Sequence, residues 1–167
     1  PDVLRVLAVY ESSTAGDPNL PRVSLINRSA ELTDTIQGEI VVGETSGATA
    51  KVVTKLAGSV DIVYTNDIRF DREEIATFQS SGIVGQVSIV TEGDKNITKT
   101  FNLDNGQRPE FYDYARLIRR EGATEPSKRL AIIFDHYKVE GEIGDFASVN
   151  SFSPENYEFD MPQFDSM

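Results

Sequence analysis

Two similar stretches, 35 residues apart, constrain the fold of this chain more than any other feature of its sequence. The first reads GEIVVGETSGATAKV at positions 38–52, and the second reads EEIATFQSSGIVGQV at positions 73–87. The aligned identities are Glu39 with Glu74, Ile40 with Ile75, Ser46-Gly47 with Ser81-Gly82, and Val52 with Val87. Glycine accepts the positive φ that a tight turn requires. The pattern predicts two related β-hairpins, with a chance match of unrelated hairpins as the alternative.

Short apolar runs separated by turn-forming residues extend this β pattern along the chain. The runs occupy positions 3–10, 23–26, 48–56, 60–64, 97–103 and 129–139. Runs 3–10 and 129–139 are apolar on both faces, which predicts an interior strand and a central strand. Run 97–103 alternates as a half-buried strand does, and run 23–26 is interpreted as a short edge strand. Strands at this spacing favour a sandwich or a barrel over βαβ units.

The domain organisation follows from where the first strand finds partners. Apolar strands matching run 3–10 lie after residue 93, whereas the repeated hairpins lie between them. We therefore expect an all-β fold in which residues 1–21 plus 93–152 form an outer β-sandwich. A small β-barrel-like module, residues 22–92, carries the repeat and is inserted at a loop, where insertions are well tolerated. Residues 153–167 are interpreted as an extended C-terminal arm or linker.

Residues 102–120 hold the densest turn signal and an ambiguous segment. Asn105-Gly106 is typical of a tight hairpin turn. As a helix, the segment 111–120 would place Phe111, Tyr114, Ala115 and Ile118 on one stripe. As a strand, it would place Tyr112, Tyr114 and Ile118 on one face with Arg116. Aromatic enrichment and the preceding turn favour the strand, and the helix stays open as an alternative.

Charge is strongly acidic and unevenly distributed. The formal net charge of −11 argues against nucleic acid as the main partner. Residues 141–167 contain no Lys or Arg, whereas basic residues gather between positions 108 and 129. Both segments are compatible with ordinary solvated surface. The sharper interpretation is that the acidic arm docks on a basic face, either its own or that of a neighbouring molecule.

Candidate chemistry is sparse. No apolar run approaches the ~20 residues that a membrane-spanning helix needs. The absence of cysteine excludes disulfides and thiolate metal sites. His136 is the only histidine, and its neighbour Asp135 points to the opposite face of an alternating strand, which disfavours a hydrolytic pair. Asp94 with Asn96, or Asp104 with Asn105, could offer calcium ligands, but neither matches an EF-hand loop. We expect no enzyme activity, no metal site and no cofactor.

Exposed aromatic and basic side chains are the remaining candidates for function. They could anchor a protein neighbour or stack on sugars, while core packing is the plain alternative for those on strands. The candidate interaction residues are Tyr112, Tyr114, Arg116, Arg119, Arg120, Tyr157, Phe159 and Phe164.

Several blocks of sequence resemble one known group of proteins. They are AVYESS at 8–13, GETSGATA at 43–50, and LDNGQR at 103–108 followed by FYDYAR at 111–116. LAIIFD at 130–135 and GDF at 144–146 follow in the same order. Together they resemble large virion structural proteins of tailed bacteriophages, especially T4-like phages of marine cyanobacteria. The resemblance covers nearly the whole chain, and the DNGQR and YD block is its most specific part.

This resemblance implies a structural role and no catalytic residues. It implies a segment of a longer chain in a phage tail, baseplate or fibre, and the first residue, Pro1, agrees with that expectation. The implied partners are other virion proteins, further domains of the same chain, or further copies of this chain. No nucleic acid and no membrane insertion are expected. The alternative is a receptor-binding module that holds a host surface glycan on aromatic side chains, and a polysaccharide-cleaving enzyme is the third possibility.

Overall fold

The computed structural model describes residues 3–106, 108 and 114–136, and the structural statements below concern these residues. They are all-β, which confirms the fold class that the short alternating runs predicted. Two 3-10 helices, Leu32–Asp34 and Thr98–Thr100, interrupt the strands. The strands are β1 (Val3–Glu11), β2 (Arg22–Ile26), β3 (Ile40–Gly43), β4 (Thr49–Lys55), β5 (Ser59–Tyr64), β6 (Ile75–Phe78), β7 (Val84–Thr91), β8 (Lys95–Asn96), β9 (Phe101–Asp104), β10 (Arg116–Arg119) and β11 (Leu130–His136).

The described residues divide into two compact units, which are treated separately. One unit contains residues 7–98 and 125–133. The other contains residues 3–6, 99–106, 108, 114–124 and 134–136. No helix in the described part of the chain is long and apolar enough to cross a membrane.

Strands β2 to β7 close into a six-stranded antiparallel barrel, in the order β2-β5-β4-β3-β6-β7. Alternate residues point inward and form one core, because successive side chains of a strand lie on opposite faces. Strand β2 pairs with β5 on one side and β7 on the other, so the expected edge strand at 23–26 was wrong. Closing a barrel removes its edges. The core residues are Val23, Leu25, Leu32, Val41, Ala48, Ala50, Val52, Val60, Ile62, Phe70, Ala76, Phe78, Ile83 and Val87.

The two stretches that are similar in sequence form hairpins β3–β4 and β6–β7, which begin at Ile40 and Ile75. Gly47 and Gly82 occupy the same place in the two turns, with φ of 71° and 69°. In each turn the glycine N–H donates back to the last residue of the preceding strand, Gly43 in one and Phe78 in the other. A Cβ is strained at this φ, so the turn requires glycine.

Each hairpin supplies a glutamate that binds the turn of the other. The buried carboxylate of Glu74 accepts the N–H groups of Thr45 (3.1 Å) and Ser46 (3.0 Å), and the Ser46 hydroxyl at 2.9 Å. It also accepts the N–H of Asp71 at 2.6 Å. Four donors therefore converge on one carboxylate that is shielded from water.

The second glutamate repeats this arrangement in the opposite direction. The buried Glu39 accepts the N–H groups of Ser80 (3.1 Å) and Ser81 (2.9 Å), and the Ser81 hydroxyl at 3.1 Å. The N–H of Ile36 donates to its other oxygen, as Asp71 does to Glu74. Carboxylates that accept backbone N–H groups form strong, charge-assisted hydrogen bonds. These reciprocal glutamates tie the two hairpins together where their first strands, β3 and β6, lie side by side in the barrel.

The chain enters and leaves the barrel at one place. Before β2, Asn19 donates its N–H to the Asp94 carboxylate at 2.8 Å, and the Asp94 N–H donates to the Asn19 carbonyl at 2.8 Å. This donor from Asn19 is the main cause of a lowered pKa at Asp94. A Cβ on Gly93 would lie 2.6 Å from the Pro21 ring, so only glycine allows this close approach. Just outside, β1 and β8 pair Tyr10 with Asn96 and Glu11 with Lys95.

A three-stranded sheet, in the order β11-β1-β8, accompanies the barrel. Strand β1 is the middle strand, as its two apolar faces predicted. Strand β11 is at the edge among the described strands, so the prediction that it is central is not supported there. Ile133 packs inward, whereas Ile132 and Phe134 remain 44% and 39% exposed. A strand with apolar residues on both faces can therefore have a paired strand on only one side within the described sheet.

The run at 97–103 is only partly a strand. Residues Thr98–Thr100 form a 3-10 helix, and β9 begins at Phe101. The Asn96 side chain accepts the Thr98 N–H at 3.0 Å, and the Thr98 hydroxyl accepts the Val9 N–H at 2.8 Å. These local polar contacts compete with the backbone hydrogen bonds of a regular β-ladder, so residues 98–100 do not continue as a strand.

Candidate interaction surface

Strands β9 and β10 form a two-stranded antiparallel ribbon that carries most of the described candidate residues. Its register pairs Arg116 with Asp104, Leu117 with Leu103, Ile118 with Asn102 and Arg119 with Phe101. The strand interpretation is thus confirmed for Arg116–Arg119. The tight hairpin predicted at Asn105-Gly106 is wrong, because residues 105–115 connect the two strands. Gly106 does have a positive φ of 77°, but it lies in that longer connection.

One face of the ribbon presents two of the predicted arginines. Because side chains alternate along a strand, Arg116, Ile118 and Arg120 share a face, and Ile118 is 48% exposed. The Arg120 N–H donates to the Thr100 carbonyl at 2.8 Å, and its Nε donates to the Asn102 side chain at 2.8 Å. This face, called the basic strip below, is defined by Arg116, Ile118 and Arg120.

The third predicted arginine lies on the opposite face. Arg119 shares that face with Leu117, and its guanidinium donates to the Ala123 carbonyl. Across the ladder are Leu103 and Phe101, which are half-buried. The structure therefore separates Arg119 from Arg116 and Arg120, although the three are close in sequence.

An ion pair joins Asp104, the last residue of β9, to Arg108. The Arg108 guanidinium donates to both oxygens of Asp104, at 2.9 Å and 2.6 Å, and the Gly106 N–H adds a third bond at 3.0 Å. These contacts, that of Arg108 first, lower the pKa of Asp104 to about 2. Asp104 therefore holds its charge in strongly acidic solution.

Replacing Arg108 with glutamine should raise the pKa of Asp104 toward its ordinary value of about 3.9. Because its pKa is lowered by folding, the ionised carboxylate of Asp104 stabilises the folded state. This contribution is complete at pH values above the pKa that the group has in the unfolded chain, and it is lost as the pH falls from about 4 through about 2. Arg108→Gln should weaken that pH dependence, while the Gly106 N–H continues to lower the pKa of Asp104. A carboxyl-detected NMR titration measures the change, with Asp94 as the unaffected reference. An unchanged Asp104 titration in the variant would contradict the role of Arg108.

The aromatic candidates are only partly described. Tyr114 is 86% exposed, the largest exposure among the large apolar side chains described. Tyr112, Tyr157, Phe159 and Phe164 lie outside the described residues, and so does the acidic segment 141–167. Their predicted roles remain predictions.

The acidic residues and the histidine considered as candidates for chemistry make other contacts in the described part of the chain. Among residues 3–106, 108 and 114–136, no three His, Cys, Asp or Glu side chains are grouped to hold a metal ion. Asp135 pairs with Arg5 at 2.7 Å, while the His136 ring lies 5.9 Å from that of Phe134. Asp94 and Asp104 are engaged by the N–H groups and arginine described above.

The sequence analysis assigned no role to four residues whose contacts or exposure stand out in the structure. Glu39 and Glu74 were visible as repeated identities, and a buried carboxylate could have been suspected from that repetition. Ile26 and Ile89, which are 50% and 49% exposed on the barrel wall, carried no signal in the alternation.

A comparison of the chain with protein-family models, curated proteins and solved structures finds no significant match.

Proposed function

We propose that this protein is a structural segment of a tailed-bacteriophage virion, acting in a tail, baseplate or fibre through protein–protein contacts. The sequence blocks at 8–13, 43–50 and 103–116 motivate the virion assignment. The observation that supports a contact role is the basic strip, where Arg116 and Arg120 flank the exposed Ile118. Arginine beside apolar surface is a typical composition of protein interfaces.

The partner that best fits the basic strip is an acidic segment of a neighbouring chain. Residues 141–167 of this sequence are rich in Asp and Glu and contain no Lys or Arg. They also contain Phe and Tyr residues that could contact Ile118. Opposite charges steer association and fix its register. In this proposal, further copies of the chain or other virion proteins supply the acidic segment.

Charge reversal on the basic strip tests this proposal. A synthetic peptide of residues 141–167 should bind the full chain, and Arg116→Glu or Arg120→Glu should weaken binding at least about tenfold, because like charges would then face each other. Isothermal titration calorimetry at low and at high salt measures both effects. Arg119→Glu, on the opposite face, is the matched control. Absence of binding, or an equal loss in all three variants, would overturn the docking role.

A finer proposal concerns the architecture. We propose that the barrel consists of two related halves derived from the 35-residue repeat, supported by the reciprocal glutamates and the matched turn glycines. Residues 1–21 and 93–152 would complete an outer β-sandwich of the same assembly module. The module would then be one of several β-units in series.

Tyr114 favours a second candidate function, a module that binds a host surface glycan. Its ring is 86% exposed, and aromatic rings of this kind offer a stacking platform for sugars. Glycan-array binding by the full chain, lost in Tyr114→Ala and retained in Arg116→Glu, would support this function over assembly. Native mass spectrometry of the same samples shows whether several copies associate.

A further inference from the structure

Asn105 is the only asparagine of the chain that is followed by glycine. An Asn-Gly pair is chemically reactive, because glycine has no Cβ and leaves its own backbone nitrogen open to the preceding side chain. Asn105 is exposed, and the pair lies in the connection that follows β9. This connection is not part of a β-ladder, so the Asn105 side chain and the Gly106 nitrogen can approach each other. The position therefore has the features of a site of spontaneous deamidation.

Deamidation at such a pair is an intramolecular reaction. The Gly106 nitrogen loses its proton to hydroxide and attacks Cγ of Asn105. The new N–Cγ bond closes a succinimide ring, and the Cγ–Nδ2 bond breaks as the departing nitrogen takes up a proton and leaves as ammonia. Water then opens the ring at one of its two carbonyl groups and yields aspartate or isoaspartate. The reaction therefore requires that the Gly106 N–H give up its proton.

The structure places a carboxylate on that N–H group. The Gly106 N–H donates to Oδ1 of Asp104 at 3.0 Å, and Gly106 is buried. The Arg108 guanidinium holds the same carboxylate through both oxygens, at 2.9 Å and 2.6 Å. A carboxylate that accepts an N–H group stabilises the protonated nitrogen and repels the nitrogen anion that would replace it. Since the pKa of Asp104 is lowered to about 2, this negative charge is present at neutral pH.

We propose that Asn105 is a deamidation site of this chain and that the Asp104 carboxylate slows the reaction by keeping the Gly106 nitrogen protonated. Asn66 offers a contrast within the same molecule. Its side-chain nitrogen donates to the Gly47 carbonyl at 3.0 Å, and the residue after it is aspartate rather than glycine. Asn66 is therefore an internal reference that should not react.

Conversion of Asn105 would change the ribbon next to the basic strip. It would add a negative charge beside Asp104, which is opposite Arg116 in the register. Isoaspartate would also lengthen the main chain by one carbon directly after β9. The added charge should weaken the attraction of the basic strip for an acidic segment. This last consequence rests on the proposed function, whereas the reaction itself requires no partner.

Peptide mapping by mass spectrometry, after prolonged incubation of the full chain at neutral pH, tests the reaction. Asn105 should convert at least fivefold more slowly than in a synthetic peptide of residues 102–108, while Asn66 stays intact. Asp104→Asn removes the charge but keeps an oxygen, and it should accelerate conversion of Asn105 at least threefold. Asp94→Asn makes the same change of net charge and should leave the rate unchanged. Equal rates in chain and peptide, or a rate that does not rise in Asp104→Asn, would overturn the proposal.

Amide hydrogen exchange separates the effect of charge from an opening of the ribbon. The Arg120 N–H, which donates to the Thr100 carbonyl, should stay protected in Asp104→Asn. If conversion accelerated only together with loss of this protection, opening of the ribbon would explain it and the role of the carboxylate would be overturned. Binding of the 141–167 peptide is measured separately on fresh and on incubated protein, so a failure of the docking proposal leaves the deamidation result standing.

Discussion

Replacing Glu74 with alanine should lower the free energy of unfolding by about 3 kcal/mol, because it leaves several buried donors without an acceptor. The lost partners are the N–H groups of Thr45, Ser46 and Asp71 and the Ser46 hydroxyl. Each unsatisfied buried donor costs roughly 1–3 kcal/mol, and partial access of water to the opened turn reduces the sum. Urea unfolding followed by circular dichroism measures the change.

Two further variants define the role of this carboxylate. Glu39→Ala should cause a similar loss, since Glu39 makes the equivalent contacts with the Ser80-Ser81 turn. Glu44→Ala removes an exposed carboxylate next to the first turn and should change the stability by less than about 0.5 kcal/mol. If Glu74→Ala were as stable as Glu44→Ala, the reciprocal glutamates would not hold the hairpins together.

Gly43 offers an independent check on the same contact. A Cβ at Gly43 would lie 2.6 Å from the Glu74 carboxylate, so Gly43→Ala must displace it. In the Glu74→Ala background this collision disappears and only that with the Ser46 hydroxyl, 2.7 Å from the added Cβ, remains, so Gly43→Ala should cost less than in the wild type. A double-mutant cycle measures the coupling between the two positions. Additive effects would show that Gly43 acts independently of the carboxylate.

Gly93→Ala should be the second most damaging change, with a loss of about 2–3 kcal/mol typical of overpacking against a rigid neighbour. The added Cβ would lie 2.6 Å from the Pro21 ring and 2.8 Å from the Asn19 carbonyl oxygen. The proline ring and the backbone carbonyl cannot move aside as a flexible side chain would. The entry and exit segments of the barrel must therefore separate.

Thermal unfolding and amide hydrogen exchange measure this effect together. In Gly93→Ala, the Asp94 amide, which donates to Asn19 in the wild type, should exchange faster. Gly58→Ala is the matched control, because the nearest atom to its Cβ would be a side-chain atom of Arg28 at 3.7 Å. Equal stability of the two variants would contradict a close-packed junction at Gly93.

Alternation and turn residues were sufficient to predict the all-β class and a small barrel, because each barrel strand buries one face. They failed where position within a sheet mattered. Strand β11 is apolar on both faces yet lies at an edge among the described strands, and β2 looked like an edge strand yet closes the barrel. The alternation of apolar and polar residues indicates which face of a strand is buried. Which strands become neighbours in a sheet depends instead on pairing between residues that are far apart in the sequence.

The candidate surface could be predicted only in outline. Arg116 and Arg120 were named from the sequence, but separating them from Arg119 required the strand register with β9. Glu39 and Glu74 were visible as repeated residues in the sequence. That each of them binds the turn of the other hairpin, however, is a property of the closed barrel. Ile26 and Ile89 are exposed because nothing in the described chain covers them, which no local pattern encodes.

The junction at the barrel entrance has a consequence for how the chain carries mechanical load. A pull applied to β1 and to the residues directly after β8, away from the barrel, first reaches the pairs of Tyr10 with Asn96 and Glu11 with Lys95. While these two pairs hold, tension passes directly from β1 to β8, and the barrel lies outside the load path. Because the strands are antiparallel and are pulled from the same end, the pairs open one after the other. Under such a pull we expect these two pairs to separate before the strands of the barrel bear any load.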